Sequence, residues 1–172
     1  MKIIPKILLL TYDYNQDVRD TMKQLWSSLV DVDKESQLIE EKWSEILDLC
    51  LDYMKQKEFR KRLSACLVLC DLIPNRSWNQ IKSKFRELFL GSLNLLDDDV
   101  EAIKNAGVDL AKANKKIILK HANIYNNTNL EELREVLDLV IPAIQEEILK
   151  SNIKQAKYYG VNILFEIVKS ST

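Results

Sequence analysis

The 172-residue sequence is poor in the residues that form tight turns and that build metal or phosphate sites. It contains only 3 Gly, 3 Pro, 3 Cys and 1 His. So few Gly and Pro residues disfavour a many-stranded sheet, and so few Gly residues could hardly form a phosphate-binding loop. Cys50, Cys66, Cys70 and His121 do not have the spacing of ligands that a zinc site requires. We therefore interpret the cysteines as reduced, buried thiols.

The sequence also lacks an excess of charge of either sign and lacks long apolar runs. The chain has 25 Lys and Arg residues against 26 Asp and Glu residues, a formal net charge of -1. This balance gives no electrostatic footprint for nucleic acid or for an anionic membrane. No run approaches the ~18 apolar residues of a membrane-spanning helix, and no signal-peptide cleavage site follows residues 1–10. We expect neither a nucleic-acid partner nor membrane insertion.

A basic residue followed three positions later by a small or apolar residue, and then by further apolar residues, occurs four times, most clearly in the stretch 59–72. Arg19, Arg62, Lys104 and Lys157 occupy this basic position and are spaced by 43, 42 and 53 residues. Solenoids of helical pairs repeat every ~40–47 residues, and the apolar residues between the basic positions have the spacing of one helix face. The sequence therefore predicts an all-α fold, a right-handed α-solenoid of about four HEAT-like helical pairs.

The sequence predicts that residues 1–172 form a single HEAT-repeat segment. Its helical pairs are predicted at residues 1–30, 37–73, 77–121 and 128–169. Pro5 and Pro142 occupy the same place in the first helix of a pair, but only four residues precede Pro5. We expect the first helix to lack roughly its first ten residues. The chain is therefore interpreted as a fragment of a longer solenoid, because neither end shows the polar face of a terminal repeat.

Short signals mark the predicted helix ends. Asp17 is placed to accept N–H bonds at the start of one helix. Ser77 with Gln80, and Thr128 with Glu131, form the pattern of a capping box. Each signal satisfies backbone groups that a helix start leaves without partners.

Glycine and proline positions predict how the helices are packed and interrupted. Gly107 and Gly160 occupy equivalent places inside predicted helices, where Gly costs about 1 kcal/mol relative to Ala. Their recurrence predicts that two helices approach closely there. Pro74 should stop the helix that begins at Phe59, whereas Pro142 should kink its helix rather than end it.

No residue pattern indicates catalysis. His121 has no evident Cys or Asp partner, and we interpret it as a satisfied or solvated surface residue. Asp97–Asp99 lacks the Gly and Glu positions of a calcium loop and suits a helix N-terminus instead. Trp26, Trp43 and Trp78 are interpreted as packing residues. We predict that the protein is not an enzyme and has no cofactor or small-molecule substrate. We assign no catalytic, cofactor-binding or metal-binding residues, and the partner-binding residues stay unknown.

Two stretches carry a family resemblance. The first reads Ile4-Pro5-Lys6, then Tyr12-Asp13-x-Asn15-x-x-Val18-Arg19-x-x-Met22, then Trp26. The second reads Arg62-x-Ser64-Ala65-Cys66-Leu67-x-Leu69-x-Asp71-Leu72. Together they resemble an internal segment of the HEAT-repeat proteasome adaptor and scaffold family. The resemblance is best over residues 3–73 and looser towards residue 172.

This resemblance implies a non-catalytic scaffold that tethers the proteasome core particle to its regulatory particle. It also implies roles in proteasome assembly, quality control and the stress response, with subunits of both particles as partners, in the cytoplasm and nucleus. The family has no catalytic residues to transfer onto this sequence. The alternative is an unrelated HEAT or armadillo-type adaptor of nuclear transport or vesicle trafficking, whose groove binds a peptide or a helix.

Overall fold

The computed structural model describes residues 3–122 and 129–169. Every regular element in these two ranges is helical, and no strand occurs within them. The chain divides into two compact units, Met1–Leu72 and Ile73–Thr172. The predicted all-α class is therefore confirmed for the described residues. None of their helices is long and apolar enough to cross a bilayer.

The first unit is built around a pair of apolar helices. Its helices are α1 (Ile3–Leu10), α2 (Gln16–Leu29), α3 (Glu35–Glu41), α4 (Trp43–Met54) and α5 (Phe59–Leu72). The helices α4 and α5 pack along each other, and α1 packs against both. Their contact faces are apolar because apolar residues recur every three or four positions in each helix. The fully buried core residues include Ile46, Cys50, Ala65, Cys66, Val68 and Leu69.

The second unit is arranged around one long helix. Its helices are α6 (Trp78–Ile81), α7 (Phe85–Asn94), α8 (Glu101–Ala122), α9 (Leu130–Ala143) and α10 (Lys154–Lys169). The long helix α8 packs against α7, α9 and α10. Apolar residues on more than one side of α8 are therefore covered. The most deeply buried side chains of the unit include Trp78, Phe85, Leu88, Phe89, Ile103 and Leu110.

The first helices of the second and third predicted pairs are interrupted, which the sequence does not predict. Lys42 separates α3 from α4, and a 3-10 turn over Lys82–Lys84 separates α6 from α7. Short breaks of this kind leave the apolar spacing almost unchanged. Ile39 and Trp43, predicted on one face, are both buried on either side of the break. The spacing therefore predicts burial correctly here and helix continuity incorrectly.

The N-terminal caps partly follow the prediction. Asn15, rather than Asp17, caps α2: its Oδ1 accepts from the N–H groups of Asp17 at 2.9 Å and Val18 at 3.2 Å. Asp17 lies instead in the first turn, where the helix dipole favours a carboxylate. The capping box of Ser77 and Gln80 is confirmed, because Gln80 Oε1 accepts from the Ser77 N–H at 2.8 Å.

The remaining signals concern α5 and α9. The predicted cap at Thr128 lies outside the described residues, and Asn129 caps α9 by accepting from the Glu132 N–H at 3.2 Å. Helix α5 ends at Leu72, ahead of Pro74, as predicted. Pro142 lies inside α9, which runs into a π turn over Ile144–Ile148. The prediction that Pro142 does not end its helix is therefore confirmed, and the π turn widens the helix just after it.

Candidate functional site

Arg19 and Arg62, the first two of the repeated basic residues, each donate hydrogen bonds to the backbone of the turn that precedes their own helix. Arg19 Nη1 donates to the backbone oxygen of Asp13 at 2.6 Å. Arg62 Nη1 donates to the backbone oxygens of Gln56 at 2.9 Å and Lys57 at 2.7 Å. The two arginines thus make the same contact, to a carbonyl six residues earlier, through a guanidinium with several donors in one plane. Their repetition in the sequence reflects a structural role.

We expect Arg62→Met to lower the free energy of unfolding by about 1 kcal/mol. Methionine keeps an apolar stem but loses the donors to the Gln56 and Lys57 carbonyls. Urea denaturation followed by circular dichroism measures this loss. Arg60→Met is the matched control, because Arg60 is exposed in the same turn of α5. An equal effect of the two substitutions would contradict the role of Arg62.

The predicted close approach of helices at the two glycines is confirmed. A Cβ atom at Gly160 would lie 2.8 Å from Cγ2 of Ile148 and 3.2 Å from Cγ2 of Ile144. A Cβ atom at Gly107 would lie 3.1 Å from Cβ of Leu95. Both glycines are buried. They therefore make room for a neighbouring segment.

His121 belongs to a polar cluster of the second unit. Its Nδ1 lies 2.6 Å from Glu132 Oε1, and its ring centroid lies 6.0 Å from that of Trp78. Trp78 Nε1 donates to Glu135 at 3.2 Å, and Lys82 Nζ donates to the same carboxylate at 3.0 Å. The hydrogen bond from Lys82 lowers the pKa of Glu135. The interpretation of His121 as a satisfied residue is confirmed, with a glutamate partner that the sequence did not reveal.

The three cysteines are free thiols. Cys50 and Cys66 are buried, as predicted, whereas Cys70 is half-buried. Burial raises the pKa of the Cys50 thiol, because desolvation disfavours the thiolate, and the thiolate is the form that attacks or binds metal. Across residues 3–122 and 129–169, no group of three or more His, Cys, Asp or Glu side chains could hold a metal ion.

An open groove of about 600 Å³ lies in the first unit between α1, α2 and α5, and we call it the α2 groove. Leu8, Trp26 and Leu67 supply apolar surface to it, while Arg19 and Lys23 supply positive charge. Leu67 is 37% exposed although it lies in the apolar run of α5. Glu35 also lines the groove, so the groove combines an apolar floor with a basic edge at Arg19 and Lys23 and one acidic residue.

Hydrogen bonds hold both walls of the α2 groove in place. The Tyr12 hydroxyl donates to Asp71 Oδ2, and Ser64 Oγ donates to the backbone oxygen of Tyr12 at 3.4 Å. On the other wall, Trp26 Nε1 donates to Glu35 Oε1 at 2.7 Å. Desolvation, followed by the hydrogen bond with Asp71 and its charge, raises the pKa of Tyr12 well above its ordinary value.

The raised pKa of Tyr12 predicts a loss of stability in alkaline solution. Because the folded-state pKa exceeds the unfolded value of about 10, the contribution is complete below that pH and is lost as the pH rises through the folded-state pKa. Between the unfolded-state pKa and the raised folded-state pKa of Tyr12, the free energy of unfolding should fall more steeply with pH in the wild-type chain than in Tyr12→Phe. Denaturation curves at a series of alkaline pH values measure both slopes, and equal slopes would show that Tyr12 does not titrate in this way.

Comparison with known proteins gives relatives among curated proteins only. No family model matches the chain, and no solved structure matches it. The chain is 24% identical over 171 residues to the proteasome component ECM29 of Saccharomyces cerevisiae. It is 22% identical over 170 residues to the proteasome adapter and scaffold protein ECM29 of Homo sapiens. Both alignments cover 99% of this chain and 9% of the relative.

The chain is similar to one segment of the ECM29 proteasome proteins. The resemblance to the proteasome adaptor and scaffold family, predicted from the motifs, is thereby confirmed. A further relative, the proteasome-associated protein ECM29 homolog of Drosophila melanogaster, is 31% identical over 83 residues, which are 48% of this chain and 4% of that protein. The alignments with the yeast and human ECM29 proteins also include the stretch beyond residue 73, where the motif resemblance is looser.

The α2 groove has the properties of a binding surface. Its apolar floor suits an apolar side chain, and its Arg19 and Lys23 side chains suit a carboxylate. Sequence reasoning assigned no binding residues and missed this groove. The one sequence feature that hinted at the groove was Leu67, which lies in a helix that is apolar almost all round. The exposure of Leu67 depends on where α2 lies.

Proposed function

We propose that this chain is a non-catalytic protein–protein scaffold segment of a proteasome adaptor. The observation that carries the proposal is the similarity, over 99% of the chain, to proteins named proteasome component and proteasome adapter and scaffold protein. The all-helical packing of the described residues supports it, because stacked helices offer extended surfaces for protein contacts.

In this proposal the whole protein tethers the proteasome core particle to the regulatory particle. It acts in proteasome assembly, quality control and the stress response, in the cytoplasm and nucleus. The fold is a right-handed α-solenoid of about four HEAT-like helical pairs, and the shared contact of Arg19 and Arg62 supports the repeat. The chain spans 9% of the length of its yeast and human relatives, so the proposal concerns one part of such a scaffold.

The α2 groove is the proposed contact surface for a proteasome subunit. A partner segment with an apolar side chain and a nearby carboxylate fits the Leu67 floor and the Lys23 edge. The groove walls are held by the Tyr12–Asp71 and Trp26–Glu35 hydrogen bonds. Such a surface needs little ordering on binding, which favours affinity.

The test uses the tagged full chain on beads and purified core particles, regulatory particles and a mixture of both at low salt. We expect both particles to be retained, and Lys23→Glu to reduce retention several-fold because it reverses the charge at the groove edge. Lys57→Glu is the matched control, since Lys57 is exposed in the same unit but does not line the groove. Retention of neither particle would overturn the scaffold proposal.

A pull-down from native lysate separates the scaffold from the alternative adaptor. Core and regulatory subunits in near-stoichiometric amounts support the proteasome role. Nuclear-transport factors or vesicle-coat proteins in their place would favour the transport or trafficking adaptor that binds a peptide or helix. The Lys23→Glu and Lys57→Glu pair then shows whether the α2 groove is the surface used.

A further inference from the structure

Positive and negative charge are segregated between the helices of the second unit. The neighbouring helices α8 and α10 together carry eight lysines against three carboxylates. Helix α9 and the π turn that follows it carry six carboxylates against one arginine. The whole chain has a net charge of only -1, so the excess positive charge of α8 and α10 is a property of these two helices.

Three of these lysines form a row on the exposed side of α8. Lys112, Lys116 and Lys120 follow each other at intervals of four residues, which brings successive side chains to within about 6 Å on one helix face. All three are exposed, and we call them the α8 lysine row. Because α8 packs against α7, α9 and α10, it is an internal helix of the unit. The exposure of the row is therefore independent of where the chain ends.

The carboxylates of the unit leave most of the α8 lysine row without an ion pair. Lys112 Nζ lies 3.1 Å from Oδ1 of Asp109, one turn earlier on the same helix. No carboxylate in the described ranges pairs with Lys116 or Lys120. The helix dipole favours a lysine in the last turn, as at Lys120, but its effect does not reach Lys112 and Lys116. Charge at the row is therefore available to a partner.

An open depression of about 450 Å³ adjoins the row where α8 and α10 lie side by side. Val108, Tyr158 and Tyr159 line it, with Lys154 also among the lining residues. We call it the tyrosine depression. Val108 precedes Lys112 by about one helical turn, so the depression and the α8 lysine row form one surface. Tyrosine is enriched in protein interfaces, and this surface offers a place for an apolar side chain next to places for carboxylates.

Side-chain contacts hold the two helices of this surface together. Lys115 Nζ donates to Asn162 Oδ1, so a hydrogen bond joins α8 to α10. The rings of Tyr158 and Tyr159 pack edge to face, with centroids 6.1 Å apart, which is a favourable aromatic arrangement. The surface is therefore formed before a partner arrives, and little ordering opposes binding.

We propose that the α8 lysine row and the tyrosine depression bind an acidic amphipathic helix of a partner protein. Carboxylates four residues apart on the partner helix match the spacing of the row, and an apolar side chain beside them enters the depression. A helix satisfies its own backbone groups, whereas α8 and α10 offer no strand edge with which an extended segment pairs. This surface belongs to the second unit and is separate from the α2 groove of the first.

The distribution of charge favours an acidic helix over a nucleic acid. A nucleic acid carries one negative charge on every phosphate and needs an extended basic surface. In the same unit Glu131 and Asp138 of α9 are exposed, and their carboxylates repel a long polyanion. A short acidic helix places its carboxylates against the row alone, where the charges are complementary.

Chemical-shift mapping by NMR of the ¹⁵N-labelled full chain tests the proposal. The probe is a roughly 20-residue alanine-based helical peptide with Glu at every fourth position and Leu three positions after each Glu. We expect it to shift the amide signals of Val108, Lys116 and Tyr159 at low salt. The same peptide with Gln in place of Glu should bind several-fold more weakly, because it has no charge to place against the row.

Two variants and a matched control locate the contact. Lys116→Glu reverses the middle charge of the row and should weaken binding of the Glu peptide roughly tenfold. Tyr158→Ala removes a ring that is already 69% exposed and should weaken binding several-fold by taking away the apolar contact. Lys150→Glu makes the same charge change at an exposed position of the unit outside α8 and α10, and should leave the affinity unchanged.

Three results would overturn the proposal. The first is an absence of shifted signals in the second unit at millimolar Glu peptide. The second is equal binding of that peptide by Lys116→Glu and Lys150→Glu. The third is a roughly 20-nucleotide thymidine oligonucleotide that shifts the same signals at lower concentration than the peptide does. The measurement uses no proteasome particles, so its outcome is distinct from that of the retention experiment for the proposed function.

Discussion

Trp78→Ala should lower the free energy of unfolding by about 3–5 kcal/mol. Trp78 is 1% exposed and lies in the core of the second unit, with its ring centroid 5.1 Å from that of Phe85. Its removal leaves a large cavity that the surrounding side chains only partly fill. It also removes the N–H donor to the Glu135 carboxylate. Urea denaturation monitored by circular dichroism measures the change.

Two further substitutions test the cause of this loss. Trp78→Phe keeps an aromatic ring beside Phe85 but removes the donor to Glu135, so its effect should be clearly smaller. Tyr158→Ala removes an aromatic ring that is 69% exposed, and surface changes of that kind stay within about 0.5 kcal/mol. A Trp78→Ala effect as small as that of Tyr158→Ala would show that Trp78 does not anchor the core.

Gly160→Ala should destabilise the protein by about 1–3 kcal/mol, although alanine is the better helix former by about 1 kcal/mol. The added Cβ would lie 2.8 Å from Cγ2 of Ile148. That methyl group is attached at the branched Cβ of isoleucine and cannot turn away freely. Helix α10 must therefore shift from the π turn Ile144–Ile148, with loss of packing. Thermal and urea denaturation measure the result.

Gly107→Ala and Lys157→Ala are the comparisons for this prediction. At Gly107 the nearest atom is Leu95 Cβ at 3.1 Å, so Gly107→Ala should be less destabilising than Gly160→Ala. Lys157→Ala, at an exposed position of α10, should change stability by less than about 0.5 kcal/mol. A gain in stability from Gly160→Ala would mean that helix propensity outweighs the contact and that the helices are not closely packed there.

Much of the core was predictable because an amphipathic helix repeats its apolar residues at its own period. Ile46 and Cys50, placed on one face by spacing, have no exposed surface. Arg19 and Arg62, matched by sequence position alone, make equivalent hydrogen bonds to the turns before their helices. The helix break at Lys42 was missed, since apolar spacing is almost unchanged across it.

The candidate surfaces were not predictable to the same extent. Leu25 and Leu67 follow the apolar pattern of their helices, yet each is 37% exposed. On α10, Ile163 is fully buried, whereas Phe165 on another side of the same helix is largely exposed although it is equally apolar. Hydrophobicity therefore showed that these residues could be covered, but not whether another helix covers them.

The sequence by itself determined the helical class, the equivalence of the repeated arginines and glycines, and the similarity to the proteasome scaffold family. Only the tertiary structure decided that α2 leaves a groove over Leu67 and that His121 pairs with Glu132. The reason is physical. The period of a helix follows from local backbone geometry, whereas the coverage of its faces depends on segments that are distant in the sequence.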